Sequence, residues 1–210
     1  MKRGIFLLLS FLMIISIYCH SGMEKPAKFI TDIPDIKNGK SAMLTGLKAS
    51  RDSLKLDTLE NGFDSLQIRI WLTYKRKDTF QVISLKHCNN SWYGNYCLAA
   101  FFPNEHRDSV LYYSKIKRSL QPKIRWQALI DSLVGFNILT LPDCTKLKDY
   151  PFPFEGGNSL TFEISTESQY RLYMYQLPST FKDTFKEAAN VDDILKLLSY
   201  EFDIKYLGRF

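Results

Sequence analysis

Three histidines, four cysteines and 22 acidic residues are the side chains with which this 210-residue chain could do acid–base, metal or nucleophilic chemistry. Their spacing offers little of it. His20 closes the N-terminal apolar run, and His87 precedes Asn89-Asn90 and reads as a turn histidine beside Trp92. His106 lies in Glu105-His106-Arg107-Asp108, where a carboxylate can orient an imidazole. No nucleophile or second ligand accompanies it at a matching spacing, so it reads as part of a solvated loop. The chain has no G-x-S-x-G elbow, no phosphate-binding glycine loop, no H-E-x-x-H and no EF-hand loop. Its cysteines have neither structural-zinc spacing nor a C-x-x-C pair. No catalytic residue, metal ligand or cofactor is therefore predicted. One enzymatic reading stays open, because dispersed carboxylates such as Glu155, Glu163 and Asp183 could meet in space as they do in hydrolases.

Binding is the more natural use of an unusual composition. The chain has twelve tyrosines and three tryptophans. Arg171, Tyr173 and Tyr175 alternate along one strand face, while Tyr150, Phe152 and Phe154 alternate with prolines. Together they predict an aromatic recognition surface; the alternative is that they pack a sheet against its helices. The basic residues are dispersed. Lys75-Arg76-Lys77 reads as a turn, and Lys115-Ile116-Lys117-Arg118 alternates as a strand edge does. Nucleic-acid binding needs a clustered basic face and is not expected. Solvated positive charge suits an anionic membrane surface.

The first twenty residues say where the chain goes. Met1-Lys2-Arg3 is a basic start, and Ile5 to Tyr18 is apolar apart from Ser10 and Ser16. That order and length make residues 1–19 a secretory signal peptide, short of the roughly 20 apolar residues of a spanning helix. Ser16-Ile17-Tyr18-Cys19 resembles the lipobox of bacterial lipoproteins, although Tyr18 stands where a small residue is usual. The resemblance implies that Cys19 becomes the acylated first residue and anchors the protein at a membrane face. Ordinary signal-peptidase cleavage near Cys19-His20-Ser21 is the alternative, giving a periplasmic or secreted protein. Without Lys2 and Arg3 the net charge falls from +6 to +4. With Cys19 set aside, Cys88, Cys97 and Cys144 remain, an odd number that leaves at least one free thiol. An oxidising compartment permits one bridge, with Cys144 the better-placed partner.

These residues must be held by something. Residues 20–58, rich in lysine and broken by Pro26 and Pro34, read as a flexible tether with room for a short helix between Lys40 and Ser53. Residues 59–210 form a single domain. Leu66, Ile68, Ile70 and Leu72 alternate with Gln67, Arg69, Trp71 and Thr73, the pattern of a half-buried strand. Hairpins follow through Asn89-Asn90, with a fourth strand over Val110–Lys117. Pro122 opens a helix carrying Trp126, Leu129, Ile130, Leu133 and Val134, ended by Gly135. Leu160–Thr166 and Tyr170–Gln176 make another hairpin. A final helix in two pieces runs from Thr180 to Phe202, with Asn190 as N-cap and Val191, Ile194, Leu195, Leu198 and Phe202 buried. The fold class predicted is α+β, an antiparallel meander of about six strands covered on one face by two helices.

Ile68-Arg69-Ile70-Trp71, Ser91-Trp92-Tyr93-Gly94, Trp126 to Leu133, Ile138 to Asp143 and Tyr170 to Tyr175, in that order, carry a further likeness. Over residues 62–205 the chain resembles a family of small exported bacterial proteins of unknown function that usually carry a signal peptide or lipobox. The resemblance implies a shared α+β fold and export, and brings no catalytic residues. The expected function is an exported, lipid-anchored cell-envelope protein acting as a non-enzymatic protein- or ligand-binding module. Its expected partners are the membrane, through the anchor, and an envelope protein or glycan. The alternatives are an inhibitor or immunity-like protein that occludes another protein's site, and an envelope hydrolase.

Overall fold

In the computed structural model, residues 29–34, 36–37, 40–73, 79–103, 110–152 and 158–204 are described. Their elements in chain order are β1 (Ile30–Asp32), β2 (Ile36–Lys37), β3 (Lys40–Ser41), α1 (Ala42–Leu54), β4 (Leu66–Thr73), β5 (Thr79–Cys88), β6 (Ser91–Pro103) and β7 (Val110–Leu120). There follow α2 (Trp126–Gly135), a single 3-10 turn (Cys144–Lys146), β8 (Ser159–Thr166), β9 (Gln169–Gln176), α3 (Pro178–Phe181) and α4 (Lys186–Phe202). The architecture is α+β. Seven strands lie in the order β1-β9-β8-β4-β5-β6-β7, antiparallel except where β1 joins β9 in parallel. The signal peptide, Cys19 and His106 lie outside the described residues.

The meander is built from local turn chemistry. Asn89 and Asn90 both take left-handed backbone, φ 49° and 57°. That is the demand of a two-residue turn joining twisted strands, and Cys88 pairs with Ser91 across it. β4 lies centrally between β5 and β8. β7 is an edge, and its lysines there discourage pairing with another chain.

One face of the sheet is apolar and carries α2 and α4. Ile68, Ile70, Leu72, Ile83, Leu85, Phe162 and Tyr173 meet Leu129 and Leu133 of α2 and Val191, Ile194, Leu195, Leu198 and Phe202 of α4 in one core. The expected buried side of α4 is thus in place. Its start is not: Phe185 is the N-cap, and Asn190 lies inside the helix. Asp192 is buried, accepts from Ser179 Oγ and pairs with Lys196 at 2.7 Å, joining α3 to α4. α2 starts after Arg125, Val134 is exposed, and Asn137, φ 61°, takes the left-handed position assigned to Gly135.

The opposite face overturns two expectations. β4 is buried on both sides, with Gln67, Arg69 and Trp71 as inaccessible as Ile68 and Ile70. The cover comes from residues assigned to a tether. From Phe29 onward the described residues of that segment are folded: β1 extends the sheet, Phe29 and Ile33 pack with Leu59, Tyr170 and Leu172, and α1 occupies the place foreseen for a short helix. Ser41 Oγ caps α1 by accepting from Leu44 N at 3.4 Å, and Lys55, φ 56°, stops it. The sheet therefore has seven strands rather than six, and helices on both faces rather than one.

Candidate functional site

Most of the expected recognition surface is core. Tyr150, Tyr173 and Tyr175 are buried, Arg171 is 9% exposed, and Phe152 alone stands out at 39%. Phe154 lies outside the described residues. The reason is the chain between α2 and the 3-10 turn, whose carbonyls need donors once they are covered. Tyr173 Oη donates to the Ile138 carbonyl at 2.6 Å and Tyr175 Oη to that of Pro142 at 2.8 Å. Arg171 donates to the Leu139 and Leu141 carbonyls and pairs with Asp32 at 3.1 Å. Tyr150 Oη reaches Gln176 at 2.6 Å. Burial pushes all three phenols above their ordinary values. Alternation along β9 thus fastens a loop to the sheet.

Cys88, Cys97 and Cys144 are free thiols, so the permitted bridge is not made. Cys144 sits in the apolar core and Cys97 on the other face. Burial pushes the Cys144 thiol up to about 12 and raises Cys97 as well, which keeps both protonated and unreactive. His87 is held by Ser65 Oγ at 2.7 Å and packs on Trp92, 5.0 Å between ring centres. Of the three carboxylates considered for hydrolysis, Glu155 lies outside the described residues, Asp183 is exposed and Glu163 is buried. Among the described residues, no three His, Cys, Asp or Glu side chains gather to hold a metal, and no helix is long and apolar enough to cross a membrane.

What sequence reasoning missed is the second face. Glu163 accepts from Trp71 Nε1 at 2.6 Å, Arg69 Nη1 at 3.2 Å and Tyr170 Oη at 3.0 Å. All four side chains are inaccessible to solvent. Arg69 Nη2 continues to the Asp57 carbonyl at 2.8 Å, Ser165 Oγ holds the Leu59 carbonyl at 2.8 Å, and Arg51 pairs with Glu60. These bonds strap residues 55–63 across the sheet. Gly62, φ 95°, makes the strap's turn, where a Cβ would press on Phe29 and the Thr166 carbonyl at 3.1 Å. Glu163 has both oxygens committed, so it organises the face rather than serving as a free acid or base.

Two cavities flank this cluster and share no lining residue. One, of about 400 Å3, opens between α1 and the sheet. Met43, Leu47, Trp71, Phe80, Phe101 and Met174 form its apolar lining, with hydroxyls from Ser50, Thr73, Ser159 and Thr161. Among the described residues, no ionisable side chain lines it. The other, of about 240 Å3, is polar and basic, bounded by Lys55, Lys86, Lys117 and Arg118 over a floor containing Gln67, Arg69 and Ser84. Among the described residues, Asp57 is the only carboxylate lining either of them. The useful signal was available in Arg69-Ile70-Trp71: a tryptophan beside an arginine on the supposed solvent face, with Glu163 opposite. No protein-family model matches the sequence, and no curated protein matches it.

Proposed function

We propose that this chain is an exported, lipid-anchored envelope protein that binds a small apolar ligand and is not an enzyme. The observation that carries the reading is the cavity beneath α1, whose described lining is uncharged. Its volume falls within the ~300–1,000 Å3 typical of small-molecule pockets, and an apolar lining with a few convergent polar groups is their usual composition. Met43 and Met174 give that lining adaptable thioethers, and Trp71 a flat wall fixed by its bond to Glu163. The export half rests on the basic start, the apolar run and the lipobox-like Cys19.

Gly46 provides the test of the cavity. It lines the cavity from α1, and a Cβ there meets nothing within 4 Å. Gly46→Leu therefore adds bulk at the site from an unobstructed Cβ and improves helix propensity by about 1 kcal/mol. The expected result is fluorescence-detected binding of N-phenyl-1-naphthylamine to the wild type, weakened by about tenfold or more in Gly46→Leu while the protein stays folded. Equal binding by both overturns the reading. For the anchor, labelled palmitate is incorporated by the wild type and not by Cys19→Ala; label persisting in the variant removes Cys19 as the attachment point.

A further inference from the structure

The second cavity calls for a different ligand. Its floor is set by strand register: Arg69 on β4 pairs with Ser84 on β5, and Ser84 with Asn95 on β6, so three polar residues lie in one row on the same face. In the next row Gln67 pairs with Lys86. Among the described residues, five cationic residues line the cavity against one acid, Asp57, which Lys86 approaches at 3.4 Å. Arg69 is already balanced by Glu163. Lys117 spends one donor on the Leu54 carbonyl at 3.1 Å, and Arg118 one on that of Phe202 at 3.1 Å. Among the described residues, neither Lys55 nor Lys117 has a carboxylate in ion-pair range, so the walls carry uncompensated positive charge, while Arg118 turns its guanidinium to the Phe202 carbonyl and the Tyr96 ring.

Two atoms on the floor point to what is bound. Arg69 Nε, a donor, and Gln67 Oε1, an acceptor, are each buried without a hydrogen-bond partner, on residues 0% and 2% exposed. Orphaned groups of that kind are rare and costly in a finished interior. A ligand that satisfies both presents an oxygen to the arginine and a hydrogen to the amide oxygen. We infer that this groove binds a small oxyanion of the phosphate class, either free phosphate or a phosphate monoester, with Lys55, Lys86 and Lys117 around the anion and Arg69, Gln67 and Ser84 beneath it. Inorganic phosphate, which keeps a P–OH at neutral pH, supplies the donor that Gln67 lacks, and a monoester does so as its monoanion, whereas sulfate has none. The cavity is smaller than those that take drug-sized ligands, which suits such a group.

Isothermal titration calorimetry of the full chain tests this with three probes: inorganic phosphate, glycerol 3-phosphate and sulfate. The expected result is saturable binding of one or both phosphates, with sulfate weaker by about tenfold or more. Which phosphate binds more tightly separates the free ion from the ester. The double variant Lys86→Ala/Lys117→Ala, changed at solvent-accessible positions, loses that binding while keeping its circular dichroism spectrum. Ser84→Val, which leaves every charge in place and removes a floor hydroxyl, also weakens it. No phosphate heat from the wild type, sulfate binding equal to phosphate, or unchanged binding in the folded double variant overturns the assignment. Gly46→Leu, which fills the separate apolar cavity, leaves phosphate binding intact, so the two readings fail independently.

Discussion

Phe162 and Glu163 are neighbours on β8 and belong to different parts of the protein. Phe162 faces α2 and α4, stacked on Tyr173 at 4.7 Å between ring centres in a close-packed apolar core. Glu163 faces the strap and α1, with three donors on its two oxygens and a cavity on either side of the cluster it anchors. One face is filled by hydrocarbon and hydrogen-bonded tyrosines. The other holds charge, unpartnered polar atoms and space. A sheet needs only one such apolar face to fold, so the second is where sequence is free to serve a ligand.

The largest effects separate the faces by how a loss can be repaired. Phe162→Ala leaves a hole in close packing and is expected to cost about 3–5 kcal/mol in urea unfolding. Glu163→Ala is expected to cost a similar 3–5 kcal/mol, because it strands the Arg69 charge and two further donors. The double change Arg69→Met/Glu163→Leu is expected to recover the part due to the stranded charge, since a buried pair seldom stabilises more than packed hydrocarbon does, while the Trp71 and Tyr170 donors stay unsatisfied. If the double variant is no more stable than Glu163→Ala, the ion pair is as necessary to the fold as Phe162 and the contrast between the faces breaks.

Tyr173→Phe sharpens the same contrast. It removes the donor to the buried Ile138 carbonyl and is expected to cost about 1–3 kcal/mol. Binding of N-phenyl-1-naphthylamine and of phosphate is expected to be unchanged, because Tyr173 faces the apolar core. A binding defect in a stable Tyr173→Phe protein would return the β9 aromatics to a recognition role. A smaller effect is expected from Ser41→Ala, about 1 kcal/mol through loss of the α1 cap, together with weaker binding of the apolar probe.

The smallest effect is a pH dependence on the core side. Burial raises the Asp32 carboxyl, but its hydrogen bonds to Lys146 and Arg171 outweigh that and hold it below the ordinary value. Asp192 is lowered in the same way, by Lys196, Ser179 and Lys182 against burial. A depressed carboxylate contributes stability that is complete above its unfolded value, about 3.9, and is lost as pH falls through the lower folded value. Chemical unfolding is therefore expected to show a steady contribution from both groups above about pH 4, declining below it, and Asp32→Asn is expected to flatten part of that decline.

The hairpins, the two-piece final helix and its buried stripe were legible because each is a local pattern. Asn89-Asn90 needs no tertiary context to turn, and Val191, Ile194, Leu195 and Leu198 recur at helical spacing. The second face was not legible, because what buries Arg69 and Trp71 comes from residues 42–63, whose weak apolar period gave no sign of docking. The same limit misplaced the candidate site. Alternation along β9 shows that Arg171, Tyr173 and Tyr175 share a face; which face is covered depends on α2 and α4, far away in sequence. Free thiols follow from the same geometry, since Cys144 and Cys97 fall on opposite sides of the sheet.

Methionine is the most direct probe of the central claim that the α1 face holds the ligand. The chain has five, and the two within the described residues, Met43 and Met174, both line the apolar cavity. In a methionine methyl-labelled sample titrated with N-phenyl-1-naphthylamine, the account expects the Met43 and Met174 methyl signals to shift together along one saturation curve. Probe binding that leaves Met43 and Met174 where they were would contradict it.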